Sequence, residues 1–154
     1  MHFRVSGLPA EPFAELFSLS DEALAERRAV RMVADSDSGF PCRISLTDAR
    51  RGQTLILLNF EHQPADSPYR STYAIFVREG EEQYDRTDEV PDQLRRRLLS
   101  VRGFDDQGML LDADVTPGTE LESLIDRLFD NRKIAYLHVH NARYGCYAAR
   151  VDRV

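Results

Sequence analysis

The sequence predicts an α+β protein, one domain over residues 1–154, with a mixed or largely antiparallel sheet packed with about three helices. Three observations carry that prediction. Segments of strand-like and helix-like spacing alternate irregularly, not in regular βαβ succession. One run, "TLILLNF", is apolar on both faces, as a strand buried on both sides requires. The last third closes on two strand-like runs joined by the short "NARYG".

In order along the chain, "FRVSGL" reads as a first strand ended by Gly7 and Pro9. "PFAELFSLSDEALAERRAV" has helical spacing, and Ser20 is a suitable N-cap for the segment through Arg28. "VRMVAD" is a strand, "SDSGFP" a turn, and "CRISL" a short run before "TLILLNF", which is placed at the centre of the sheet. Pro64 and Pro68 bracket a defined loop before the strand "STYAIFVRE". The charged "GEEQYDRTDE" reads as a flexible loop. Pro91 opens a helix over "PDQLRRRLLS", with Leu94, Leu98 and Val101 on one face and Arg95, Arg96 and Arg97 solvated. "VRGFDDQGMLLDADV" reads as a hairpin about Asp106, Gln107 and Gly108, with Met109, Leu111, Ala113 and Val115 facing inward. "TPGTELESLIDRLFDN" is a strong helix, carrying Leu121, Leu124, Ile125 and Leu128 on one stripe.

Composition narrows the function classes. Apolar residues make up 42% of the chain and charged residues 30%, an ordinary balance for a folded protein. A net charge of −6 argues against nucleic acid or an anionic membrane surface as partner, because both need a positive field. No segment reaches the ~20 apolar residues of a membrane span, and the start lacks a signal-peptide pattern, so a cytoplasmic location is expected. In that compartment Cys42 and Cys146 are expected as free thiols. No Gly-rich phosphate loop and no GxSxG elbow occurs.

The candidate chemistry starts from "YLHVHN". In a strand Tyr136, His138 and His140 share one face, while Leu137 and Val139 take the other. Two imidazoles so placed can ligate a metal or act as base and orienting group. His62 ends the apolar "LILLNFEH" run beside the proline-bracketed loop, so a three-histidine catalytic or metal site forms if those strand ends meet. Arg70, with Tyr69 beside it, suits capture of a carboxylate or phosphate; its competing role is to brace the loop against Glu61 or Asp66. Arg43 would add a second cation and Asn141 a hydrogen-bonding amide. Cys42, next to Arg43, is either a nucleophile or a small buried apolar residue. Asp112 and Asp114 fit the polar face of a strand better than an acid-base pair.

Taken together, "FRVSGLP", "FPCRISL", "LLNFEHQPADSPYR", "IFVREG", "DADV" and "YLHVHNARYGCYAARVDR" resemble a bacterial family of uncharacterised proteins, domain of unknown function 1203. The resemblance implies no activity, cofactor or catalytic residue. A similarity to histidine-triad nucleotide hydrolases stops at Ala142, where their next histidine falls, and a cupin-like site lacks its trailing glutamate.

Three functions follow as expectations. The first is binding of a small anionic metabolite, with or without histidine chemistry, in one pocket of His62, Arg70, His138, His140 and Asn141, with Arg43 added. The second is a non-catalytic interaction surface on "SPYRSTY" and the acidic loop. The third is a metal ion on the three histidines. A terminal hairpin lying at a sheet edge would also allow a homodimer across a two-fold axis.

Overall fold

The computed structural model describes all residues, 1–154, and is strand-rich: nine strands in two antiparallel sheets, with short helices. The larger sheet has six strands in the order β5-β1-β9-β8-β6-β7. These are β1 (Phe3–Ser6), β5 (Asp85–Thr87), β6 (Leu98–Phe104), β7 (Leu110–Pro117), β8 (Tyr136–Asn141) and β9 (Tyr147–Arg153). The smaller sheet has the order β2-β3-β4, from β2 (Ala29–Val33), β3 (Thr54–Gln63) and β4 (Ser71–Val77). No helix is long and apolar enough to cross a membrane.

Helix α3 (Leu121–Asp130) follows its apolar stripe. Leu121, Leu124, Ile125 and Leu128 are buried against the face of the larger sheet that carries Leu99, Val101, Leu137, Val139, Ala149 and Val151. Each such side chain removed from water contributes about 1.5–3 kcal/mol, which makes this the main core. The smaller sheet packs Ile56, Ile75 and Val77 against Phe13 and Leu16 of a 3-10 helix (Glu11–Ser18) and Leu24 of α1 (Asp21–Glu26). Ser20 caps α1 as its sequence position requires, its Oγ accepting from the Ala23 N–H at 3.2 Å.

Residues 41–46 join the two sheets. "CRISL" forms isolated bridges and turns, not a strand: Cys42 pairs with Phe76 of β4, the Leu8 N–H donates to the Arg43 carbonyl and the Tyr84 N–H to the Ile44 carbonyl. Gly7 permits this approach, because a Cβ there would lie 2.2 Å from the Ile44 carbonyl oxygen.

Several expectations are corrected. β3 is central, but to the smaller sheet; only Leu55 and Ile56 are fully buried in it among Leu55, Ile56, Leu57 and Leu58. The charged 80–89 segment contains strand β5, which pairs with β1, and its charges are those of a protected sheet edge. The helix after Pro91 is only α2 (Asp92–Arg95), and Leu98 is already in β6 and 54% exposed. The β6–β7 hairpin is present, but Met109, Leu111 and Val115 are exposed. Ala113 and Val115 stand opposite Arg102 and Ser100 on one face, as alternation requires, yet the smaller sheet does not cover the β7 edge. Asp112 and Asp114 face the helix side, where Arg127 of α3 pairs with both. The closing hairpin of β8 and β9 occupies the middle of the larger sheet, so its ladders are already filled and it offers no edge to a second copy.

Candidate metal centre

On β8 the period-two rule puts His138 and His140 on the face opposite α3, with Arg102 and Ser100 of β6 directly across. A register shift between Val139 and His140 in the β8–β9 ladder brings Tyr147 opposite His140. A second shift, between Glu61 and Gln63 of β3, leaves His62 out of the β3–β4 pairing. Bulges of this kind re-aim a side chain, and here the bulged residue meets the larger sheet. Gln63 Nε2 donates to the Tyr136 hydroxyl at 3.0 Å and holds the two strands together beside it.

The three imidazoles converge. Ring centroids lie 5.0 Å apart for His62 and His140, 6.3 Å for His62 and His138, and 6.4 Å for His138 and His140. Tyr147 stacks on His62 with centroids 5.6 Å apart and planes 11° from parallel. One nitrogen from each histidine can be chosen so that all lie within 4.8 Å of one another. His138 is 3% and His140 1% exposed; His62 is half-buried.

Each ring has a buried nitrogen without a hydrogen-bond partner, and one ring has its tautomer fixed. His140 Nδ1 donates to the Gly145 carbonyl at 3.0 Å, and since a carbonyl only accepts, the neutral ring carries its lone pair on Nε2. That Nε2 is buried without a partner, as are Nδ1 of His62 and Nδ1 of His138. Burial pushes His138 down to about 3, with the charges of His140, Arg150, His62 and Arg102 acting in the same direction. Burial also takes His140 down to about 3 against the bond to Gly145, and it lowers His62, helped by Arg102. All three rings are therefore neutral at pH 7, the state in which imidazole is a ligand.

A cavity of about 410 Å³ opens onto His62 and His138, with Tyr136, Tyr147 and Arg150 in its walls. Arg150 is held by Asp152 at 2.8 Å and lies over the Tyr136 ring at 4.1 Å.

The other candidate residues are distributed elsewhere. Arg70 gives its Nε and Nη2 to Glu61 at 3.0 and 3.1 Å and so braces the loop. Tyr69 packs edge-on against Phe104 at 6.2 Å. Cys42 is buried in the core of the smaller sheet, and both cysteines are free. Arg43 and Asn141 line a second cleft, beyond the turn that joins β8 to β9. One pocket holding His62, Arg70, His138, His140, Asn141 and Arg43 thus does not assemble. Arg102 and Tyr147 belong to the cluster and were not singled out by sequence; the signal for Arg102 was a charge on the Ser100 side of the apolar "LLSVRGF".

The fold and site define a strand-rich α+β protein with a buried three-histidine cluster where its two sheets meet. By sequence the chain belongs to the family described as "Protein of unknown function (DUF1203)", which matches residues 39–153 and so includes all three histidines, with residues 1–38 outside the match. No curated protein and no solved structure matches the chain.

Proposed function

We propose that the protein binds one divalent transition-metal ion through His62, His138 and His140. The observation that carries this reading is the set of three neutral imidazoles, each with a buried nitrogen lacking any partner, gathered within ligating range of one another. Buried polar atoms are rarely left unpaired, and one such atom on each of three adjoining rings is accounted for by a shared ligand. The His140 bond to Gly145 has the form that orients metal-bound histidines, the second ring nitrogen donating to a backbone carbonyl.

Ion bonds of about 2.0–2.1 Å in a tetrahedral site hold nitrogens about 3.4 Å apart, so closure asks one ring to swing by roughly an ångström. His62, half-buried at the cavity wall, has the room to do so. Three neutral ligands leave the full double charge of the ion, and Arg102 and Arg150 add to it. That field favours an anion, hydroxide or carboxylate, in the remaining position facing the cavity. Bound there, such an ion lowers the pKa of a coordinated water or polarises a carbonyl.

The test is a metal titration of untagged, chelator-treated protein with Co²⁺ and Zn²⁺. We expect one ion per chain, with Co²⁺ giving visible d–d absorption, and loss of both signals in His138→Ala and His140→Ala that retain native circular dichroism. Equal uptake by wild type and the two variants, or no stoichiometric uptake by wild type, overturns the reading.

A further inference from the structure

The second cleft, about 760 Å³, lies between the smaller sheet and the β8–β9 turn and stands apart from the histidines. Leu57, Phe76, Pro41 and Leu98 supply apolar walls, Tyr73 and Tyr144 aromatic ones, and no Asp or Glu lines it. The cations that do line it are Arg43, Arg96, Arg97 and Arg143. Arg96 and Arg97 are engaged with Asp48, at 3.9 and 2.9 Å. Arg143 has no carboxylate partner and sits 5.9 Å over the Tyr144 ring.

Arg43 is the unusual member. Its side chain is 1% exposed, yet it forms no ion pair. Nε donates to the Tyr147 carbonyl at 2.7 Å and Nη1 to the Pro41 carbonyl, which fixes the plane of the guanidinium, and Nη2 has no oxygen acceptor. A guanidinium withdrawn from water without a carboxylate is costly, with the Cys146 thiol its other polar neighbour, and an anion arriving at Nη2 offsets that cost. Beside it Asn141, 7% exposed, donates Nδ2 to Cys146 Sγ at 3.4 Å and leaves Oδ1 without a partner. That oxygen is an acceptor, so it calls for a donor such as a bridging water and not for the carboxylate itself.

We propose that this cleft binds a small organic carboxylate with an apolar body, its head on Arg43 Nη2 and Arg143 and its body against Leu57, Phe76 and Tyr144. The apolar walls make a hydrophobic acid a better match than a bare phosphate. The site does not depend on the metal reading, because no histidine lines it.

The probes are octanoate and 4-phenylbutyrate, with 1-octanol and inorganic phosphate as controls, titrated by calorimetry into metal-free protein. Stoichiometric binding of at least one acid is expected, with no binding of the alcohol and at least tenfold weaker binding of phosphate. Arg143→Ala is expected to weaken the acid about tenfold, Leu57→Trp to block it, and His62→Ala to leave it unchanged. Arg43→Met, if folded by circular dichroism, abolishes it; if it does not fold, Arg143→Ala and Leu57→Trp decide alone. Equal binding of the alcohol, tighter binding of phosphate, loss in His62→Ala, unchanged binding in Arg143→Ala and Leu57→Trp, or no binding of either acid overturns the proposal.

Discussion

The His140 ring has its tautomer set by one backbone carbonyl, that of Gly145, a glycine at φ 78° in the turn after β8. Keeping such rings neutral inside the protein has a consequence for stability in acid. His138 and His140 have folded pKa values of about 3, below the ordinary 6.5 of the unfolded chain. Between those values the unfolded state takes up protons that the folded state refuses, so stability is lost as pH falls below 6.5 and the loss levels off near 3. The sum is on the order of several kcal/mol. For chelator-treated protein we expect the urea midpoint to drop steadily from pH 6.5 to 4.5, and His138→Phe to show a shallower drop; a flat profile for wild type contradicts the burial of neutral rings. Asp85 and Asp88, whose pKa values are lowered chiefly by hydrogen bonds from Arg4 and His2 respectively, act only at more acid pH. At this scale the sequence shows the shared face of His138 and His140, because strand parity is local. The arrival of His62 is not legible, since it depends on a bulge and on the meeting of two sheets. Arg70 was open between ligand and brace, and a carboxylate nine residues earlier took the guanidinium.

Strand β6 sets Leu98 and Leu99 side by side with opposite environments. Leu98 is exposed at the rim of the second cleft, while Leu99 is fully buried against α3. Leu99→Ala is expected to cost about 2–5 kcal/mol and Leu98→Ala to stay within about 0.5 kcal/mol, measured by urea denaturation. A loss at Leu98 as large as that at Leu99 would contradict the exposure of Leu98 in β6. Elements with strong local signals were readable: α3 from its stripe, α1 from its Ser20 cap and the terminal hairpin from its turn. The span of α2 was not, because the leucines at 94 and 98 fit a helix as well as a helix followed by a strand. Nor was the exposure of β7, whose alternation identifies a face but not whether another layer covers it.

Across the whole molecule, the larger sheet is assembled from distant parts of the chain. β1 lies between β5 and β9, so Val5 pairs with Arg86 on one side and Val151 on the other. Topologies dominated by such pairings fold slowly, and refolding followed by stopped-flow circular dichroism is expected to take on the order of milliseconds to seconds; relaxation in microseconds would be inconsistent with this strand order. The order of strands in the larger sheet also departs from their order of synthesis. β1 and β9 are neighbours in the larger sheet yet lie at opposite ends of the nine-strand series, and at roughly 5–20 residues per second about seven to thirty seconds of synthesis separate them. Until residues 147–153 are made, β1 and β8 each keep an open edge of the kind that templates wrong pairings, and the one strand β9 closes both.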